Sequence, residues 1–117
     1  MLLVWVALGG AVGATARHLL SVAGVALLGE AFPYGTLVCN VAGSTAIGWL
    51  AVSLEHESAK AFWIIGVLGG FTTFSSFSLQ TWRLVEQDAF GLAALYAALS
   101  FALCLAGVAF GLVLARA

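Results

Sequence analysis

The stretch Gly69-Gly70-Phe71-Thr72-Thr73-Phe74-Ser75-Ser76-Phe77-Ser78 decides how this chain is read. It lies inside an apolar run long enough to cross a membrane, yet it opens on two glycines and sets threonines and serines among phenylalanines. Paired glycines make a poor helix interior, and β-branched threonines weaken it further. The sequence therefore predicts a helix broken at Gly69–Thr73. A break frees backbone N–H and C=O groups, and within a membrane irregular backbone is tolerated only where protein buries it or where it lines a cavity. Phe74 and Phe77 are three apart and share a face if the helix resumes. Two readings stand at this level. One is an aromatic packing pair beside a serine-rich helix. The other is a path walled by hydroxyls, freed carbonyls and the positive edges of phenylalanine rings.

Working outward, the 117-residue chain is 63% hydrophobic and 8% charged, with a mean hydropathy of +1.14. Soluble domains are typically about 45–50% apolar and about 25% charged. A signal peptide does not account for the difference, because the apolar character runs from Leu2 to Ala115. A spanning helix needs roughly 20 apolar residues. Gly29–Pro33, Glu55–Lys60 and Glu86–Asp88 punctuate the chain into four such segments, at about 2–28, 33–54, 61–84 and 89–115. The expected fold is an all-α membrane protein of four transmembrane helices in a single domain, 1–117, with the Glu55–Lys60 interval as a loop. A net charge of −1 gives no sign of nucleic-acid binding, and no nucleotide, metal or nucleophile motif points to an enzyme. Cys39 and Cys104 lie inside predicted helices and read as small packing residues.

Four spans place the N-terminus, the 55–60 interval and the C-terminus on one side, and the turns at 29–33 and 85–88 on the other. Lys60 and Arg116 belong to the first side, Arg17 and Arg83 to the second. Orientation normally follows an excess of Lys and Arg in cytoplasmic loops. Two against two gives no excess, so insertion in both orientations is expected, and with it an antiparallel dual-topology homodimer. Gly9/Gly13, Ser44/Gly48, Gly107/Gly111 and the stripe Ala94, Ala98, Ala102, Ala106 are small-residue faces that let helices approach closely.

Polar residues inside the spans are few. Arg17 is the charged residue well inside a predicted helix, and a charge there marks a functional site or snorkels to the interface. The five carboxylates all lie in or beside loops, so Arg17 has no acidic partner within the spans, which favours anions in a vestibule. Asn40 sits at roughly the same depth and offers two N–H donors; a helix–helix hydrogen bond is the plainer reading. Tyr96, Ser100 and Cys104 are spaced four apart and line one face of the fourth helix. They read either as a track of donors or as interhelical bonding beside a packed cysteine.

Taken together, these residues resemble a known family. Gly69–Ser78 is similar to the GG-x-TTFS-x-F signature of the Fluc (CrcB) fluoride channels, and Tyr34–Gly43 (YGTLVCNVAG) to that family's YGTL-x-x-N-x-x-G. The resemblance runs in order and spacing over essentially the whole chain. It implies a passive, fluoride-selective channel that exports fluoride across the cell inner (plasma) membrane, built as an antiparallel homodimer with two pores. It also implies a structural Na+ at the dimer centre, held by the main-chain carbonyls of Gly69 and Thr72. The fluoride pore would comprise Asn40, Thr73, Phe74, Ser75, Phe77, Tyr96, Ser100 and Cys104, with Arg17 in the vestibule.

Two positions depart from the family's pattern. Cys104 stands where Ser or Thr is expected, and a thiol is a weak donor. Gln80 stands where many relatives carry Glu. The variable Ser76 matters less. A fluoride/proton antiporter and a small dual-topology multidrug exporter are the alternatives; both call for an intramembrane carboxylate, which this chain does not place within a span. A non-transporting membrane subunit would predict no effect of Asn40→Asp or Phe77→Ile on any flux.

Overall fold

The computed structural model describes residues 1–117 and is all-helical. Helices α1 (Leu2–Leu28) and α2 (Tyr34–Ser53) are the first two spans. The third span, Glu57–Glu86, is composite. It comprises a turn of α-helix, α3 (Glu57–Lys60), a π-helical stretch (Ala61–Leu68), a short α4 (Gly69–Phe71) and α5 (Phe74–Glu86). Helix α6 (Phe90–Arg116) is the fourth span. All four spans are long and apolar enough to cross a membrane.

The interval expected as a loop, 55–60, is a loop only as far as His56. Leu54 and His56 have extended backbone, and Glu57–Lys60 already belong to the third span. Glu57 stands in the first turn and Lys60 in the last turn of α3, so the carboxylate faces the positive end of the helix dipole. On the other side, α1 stops at Gly29, whose φ of 82° suits the left-handed conformation only glycine adopts without cost. Pro33 stands immediately before α2 as its N-cap.

The interruption of the third span falls at Thr72 (φ −89°, ψ 156°) and Thr73 (φ −154°, ψ 126°), both extended. Gly69, expected to open the break, is helical, and so is Gly70. Gly70 and the preceding Gly66 serve packing instead. A Cβ on Gly70 would lie 2.7 Å from the Gly10 carbonyl oxygen, and one on Gly66 would lie 2.8 Å from the Gly9 Cα. Gly9 and Gly13 of α1 likewise abut the carbonyls of Phe62 and Val67. The Gly9/Gly13 face is thus used within the chain, to bring α1 against the third span at backbone contact distance.

The second tight pairing is α2 with α6. Gly48 meets the Val108 backbone, and Gly107 and Gly111 meet Thr45. Where the turns at 29–33 and 87–89 come together, Phe32, Leu84, Ala93 and Tyr96 form a small buried cluster with Leu37 and Phe77 against it. Most other large side chains face outward, among them Phe74, Trp82 and Phe101. Ala94, Ala98, Ala102 and Ala106 are all exposed, so that stripe has no partner within the chain.

Candidate functional site

The site is built on the interruption. Extended backbone at Thr72 and Thr73 breaks the helical ladder, and each freed polar group must find another partner. Asn40, projecting from α2, supplies two. Its Oδ1 accepts the Thr73 N–H at 2.7 Å, and its Nδ2 donates to the Thr73 carbonyl at 3.0 Å. The Thr73 N–H that would otherwise close a helical turn onto the Gly69 carbonyl is thereby taken away. Arg17, from α1, donates through Nε to the Gly70 carbonyl at 3.1 Å. Thr73 Oγ1 caps the resumed helix by accepting the Ser76 N–H at 3.2 Å, and it lies 3.3 Å from Ser75 Oγ. The Thr72 carbonyl receives no backbone N–H.

Beside the interruption lies a cleft of about 410 Å³. Asn40, Thr73, Phe74, Phe77, Ser100 and Cys104 line it, with Gly69 and Thr72 at the broken segment. The Phe74 and Phe77 ring centroids are 5.5 Å apart, tilted by 47°. Ser100 is buried, and its Oγ has no hydrogen-bond partner. A buried hydroxyl left unsatisfied is costly, and in this position it can donate to whatever enters the cleft.

Eight sequence-predicted residues therefore converge on one cleft, and three do not line it. Arg17 is half-buried at the far side of the break and holds the Gly70 carbonyl. Ser75 is exposed and touches the cleft only through the Thr73 hydroxyl. Tyr96 is 0% exposed and stands behind Phe77, with ring centroids 5.1 Å apart. Its hydroxyl donates to Gln80 Oε1 at 3.0 Å. Gln80 thus presents a neutral acceptor to the Tyr96 hydroxyl.

Sequence reasoning missed Gly43 and Ser44, which also line the cleft. Ser44 lies one helical turn beyond Asn40, so the i, i+4 rule applied to α2 would have found it. It missed Arg17's carbonyl partner too; nothing local to Arg17 signals a contact 53 residues away.

For a metal, the chemistry on offer is backbone oxygen, a hard donor suited to alkali and alkaline-earth cations. Gly69, relieved of the Thr73 N–H, and Thr72, free of any backbone N–H, are among the carbonyls the interruption releases.

These features define a small multi-pass membrane protein. Its third span is interrupted against an asparagine and an arginine, and a polar cleft opens at the interruption. A family model described as "CrcB-like protein, Camphor Resistance (CrcB)" matches residues 4–112, and the chain belongs to that family. Among curated relatives, the "Fluoride-specific ion channel FluC" of Cereibacter sphaeroides (strain ATCC 17029 / ATH 2.4.9) is 49% identical over 116 residues, covering 97% of this chain and 94% of the relative. The proteins of that name from Caulobacter vibrioides (strain NA1000 / CB15N) and Rhodospirillum centenum (strain ATCC 51521 / SW) are 44% identical over 120 residues and 49% over 116. The first alignment covers 97% of this chain and 94% of the relative, the second 95% and 92%. An ion channel is a transporter rather than an enzyme.

Proposed function

We propose that the protein is a passive, fluoride-selective channel of the inner membrane. The observation that carries this reading is Ser100 Oγ, a buried hydroxyl with no partner in a cleft walled by Phe74, Phe77, Asn40 and Thr73. Fluoride is small and tightly hydrated, so a path for it must replace water with donors yet hold no fixed charge that would trap the ion. Hydroxyls, a thiol and ring edges meet both requirements. The name shared by the curated relatives supports fluoride as the ion.

The active unit is an antiparallel homodimer with two pores. The balanced distribution of Lys and Arg supports dual topology. So does the outward-facing equipment of the single chain: Phe74 is 75% exposed although it lines the cleft, and the α6 alanine stripe has no partner. Two copies meeting at the interruption would bring the released Gly69 and Thr72 carbonyls together as the ligands of a structural Na+, which supplies positive charge at the subunit junction. A proton-coupled mechanism has less support, because Gln80 offers no titratable group beside Tyr96.

The test is fluoride efflux from liposomes containing the purified protein, with chloride in parallel, no proton gradient and a potassium ionophore to balance charge. Rapid fluoride release with little chloride is the expected result. No release from dimeric protein in the presence of sodium overturns the reading.

A further inference from the structure

A second cleft, of about 360 Å³, opens at the end of the bundle where the 29–33 turn meets α5. Ser21, Glu30, Thr36, Gln80, Arg83 and Gln87 line it. Its floor is a close approach of α1 and α2, where a Cβ on Gly35 would lie 2.7 Å from the Ser21 Cα. Arg83 is the only basic residue in the lining, and its side chain is exposed to the opening. Gln80 and Arg83 stand at i and i+3 and so share one face of α5, and Gln87 follows at its C-cap.

Gln80 joins this cleft to the first. Its Oε1 is committed to the Tyr96 hydroxyl. The Tyr96 ring packs at a tilt, centroids 5.1 Å apart, against Phe77, which lines the first cleft. Phe77, Tyr96 and Gln80 thus form one chain of contacts from the first cleft to the second. With Oε1 occupied, the Gln80 Nε2 donors are what remains for a ligand in the second cleft. A carboxylate in the same place would offer no donor and would add negative charge.

We propose that the second cleft is an anion-holding antechamber. The Arg83 guanidinium and the Gln80 and Gln87 amides hold a small, partly hydrated monovalent anion before it passes Tyr96. That anion is fluoride on the channel reading, on which this inference rests. Arg83 supplies the attraction, and the amides replace water. Glu30, lining the same cleft, offsets the Arg83 charge and keeps the hold weak, as a waiting position on a conduction path requires. The amides of Gln80 and Gln87 make this mouth rich in donors.

The experiment compares fluoride efflux from liposomes for the wild type, Arg83→Gln, Arg83→Lys, Gln80→Glu and Glu30→Gln, over a fluoride series at low and at high ionic strength. Arg116→Gln, at the exposed C-terminus, is the control and is expected to match the wild type. At low fluoride and low salt, Arg83→Gln is expected to reduce flux about tenfold, the lower range of electrostatic focusing. Near 1 M salt the deficit is expected to vanish, because the screening length falls to about 3 Å. Maximal flux at saturating fluoride is expected to be unchanged. Arg83→Lys should retain most of the wild-type flux, Gln80→Glu should weaken apparent affinity and Glu30→Gln should strengthen it. Wild-type flux in Arg83→Gln at low salt overturns the antechamber, and so does a deficit independent of both salt and fluoride. Absence of flux in the wild type overturns the channel reading and this inference with it.

Discussion

Asn40 satisfies both backbone polar groups of Thr73, accepting its N–H at 2.7 Å and donating to its carbonyl at 3.0 Å. One amide side chain on α2 thus replaces the helical bonds the third span gives up at its interruption. A side chain with only a donor or only an acceptor would leave one of the two groups bare.

Asn40→Ala follows from this directly. It leaves the Thr73 N–H and carbonyl without partners, and each such loss costs about 1–3 kcal/mol where water does not reach. A lowered melting temperature in detergent, together with lost fluoride flux, is the expected outcome. An unchanged melting temperature would show that the interruption does not depend on Asn40.

Ser100→Ala should behave in the opposite way. Ser100 Oγ bonds to nothing in the chain, so its removal breaks no hydrogen bond and the melting temperature should hold. Flux should fall about tenfold, which corresponds to about 1.4 kcal/mol of lost ion stabilisation. A variant that melts early but conducts normally would assign Ser100 to packing instead.

Phe77→Ile removes a ring that touches both Phe74 and Tyr96. Fluoride flux should be abolished while the dimer survives on size-exclusion chromatography. Phe74→Ile should do the same. Flux at the wild-type level in both would remove the rings from the ion path.

The packing of α1 is checked by a pair of alanines. A Cβ on Gly13 runs into the Val67 carbonyl, whereas one on Gly10 meets nothing within 4 Å. Gly13→Ala should destabilise by about 1–3 kcal/mol, the usual range for overpacking, and Gly10→Ala should be silent. Equal melting temperatures would mean that α1 does not seat against the third span as described.

Much of this was legible in the chain. Hydropathy and punctuation set out four spans, because the bilayer imposes one length and one polarity on every crossing segment. The signature threonines, phenylalanines and Asn40 were recognisable as a group through the family resemblance, and most of them share one cleft. The exact place of the interruption was not legible. Local propensity pointed to Gly69 and Gly70, which are weak helix formers anywhere, but both remain helical. The lack of a side chain at Gly70 answers instead to the nearness of α1 at Gly10, and propensity says nothing about a neighbouring helix.

The order of residues alone shows a four-span membrane protein with a sparse set of donors, a balanced distribution of basic residues and carboxylates confined to the ends of its spans and the turns between them. Those properties depend on composition and on spacing along one chain. Only the tertiary structure decided that Asn40 reaches across 33 residues to Thr73 and Arg17 across 53 to Gly70. It also set Tyr96, placed by spacing on the same track as Ser100, behind Phe77 and outside the first cleft. The reason is that a freed backbone group takes the partner that helix packing brings within about 3 Å, and that partner is fixed by how whole helices seat against each other.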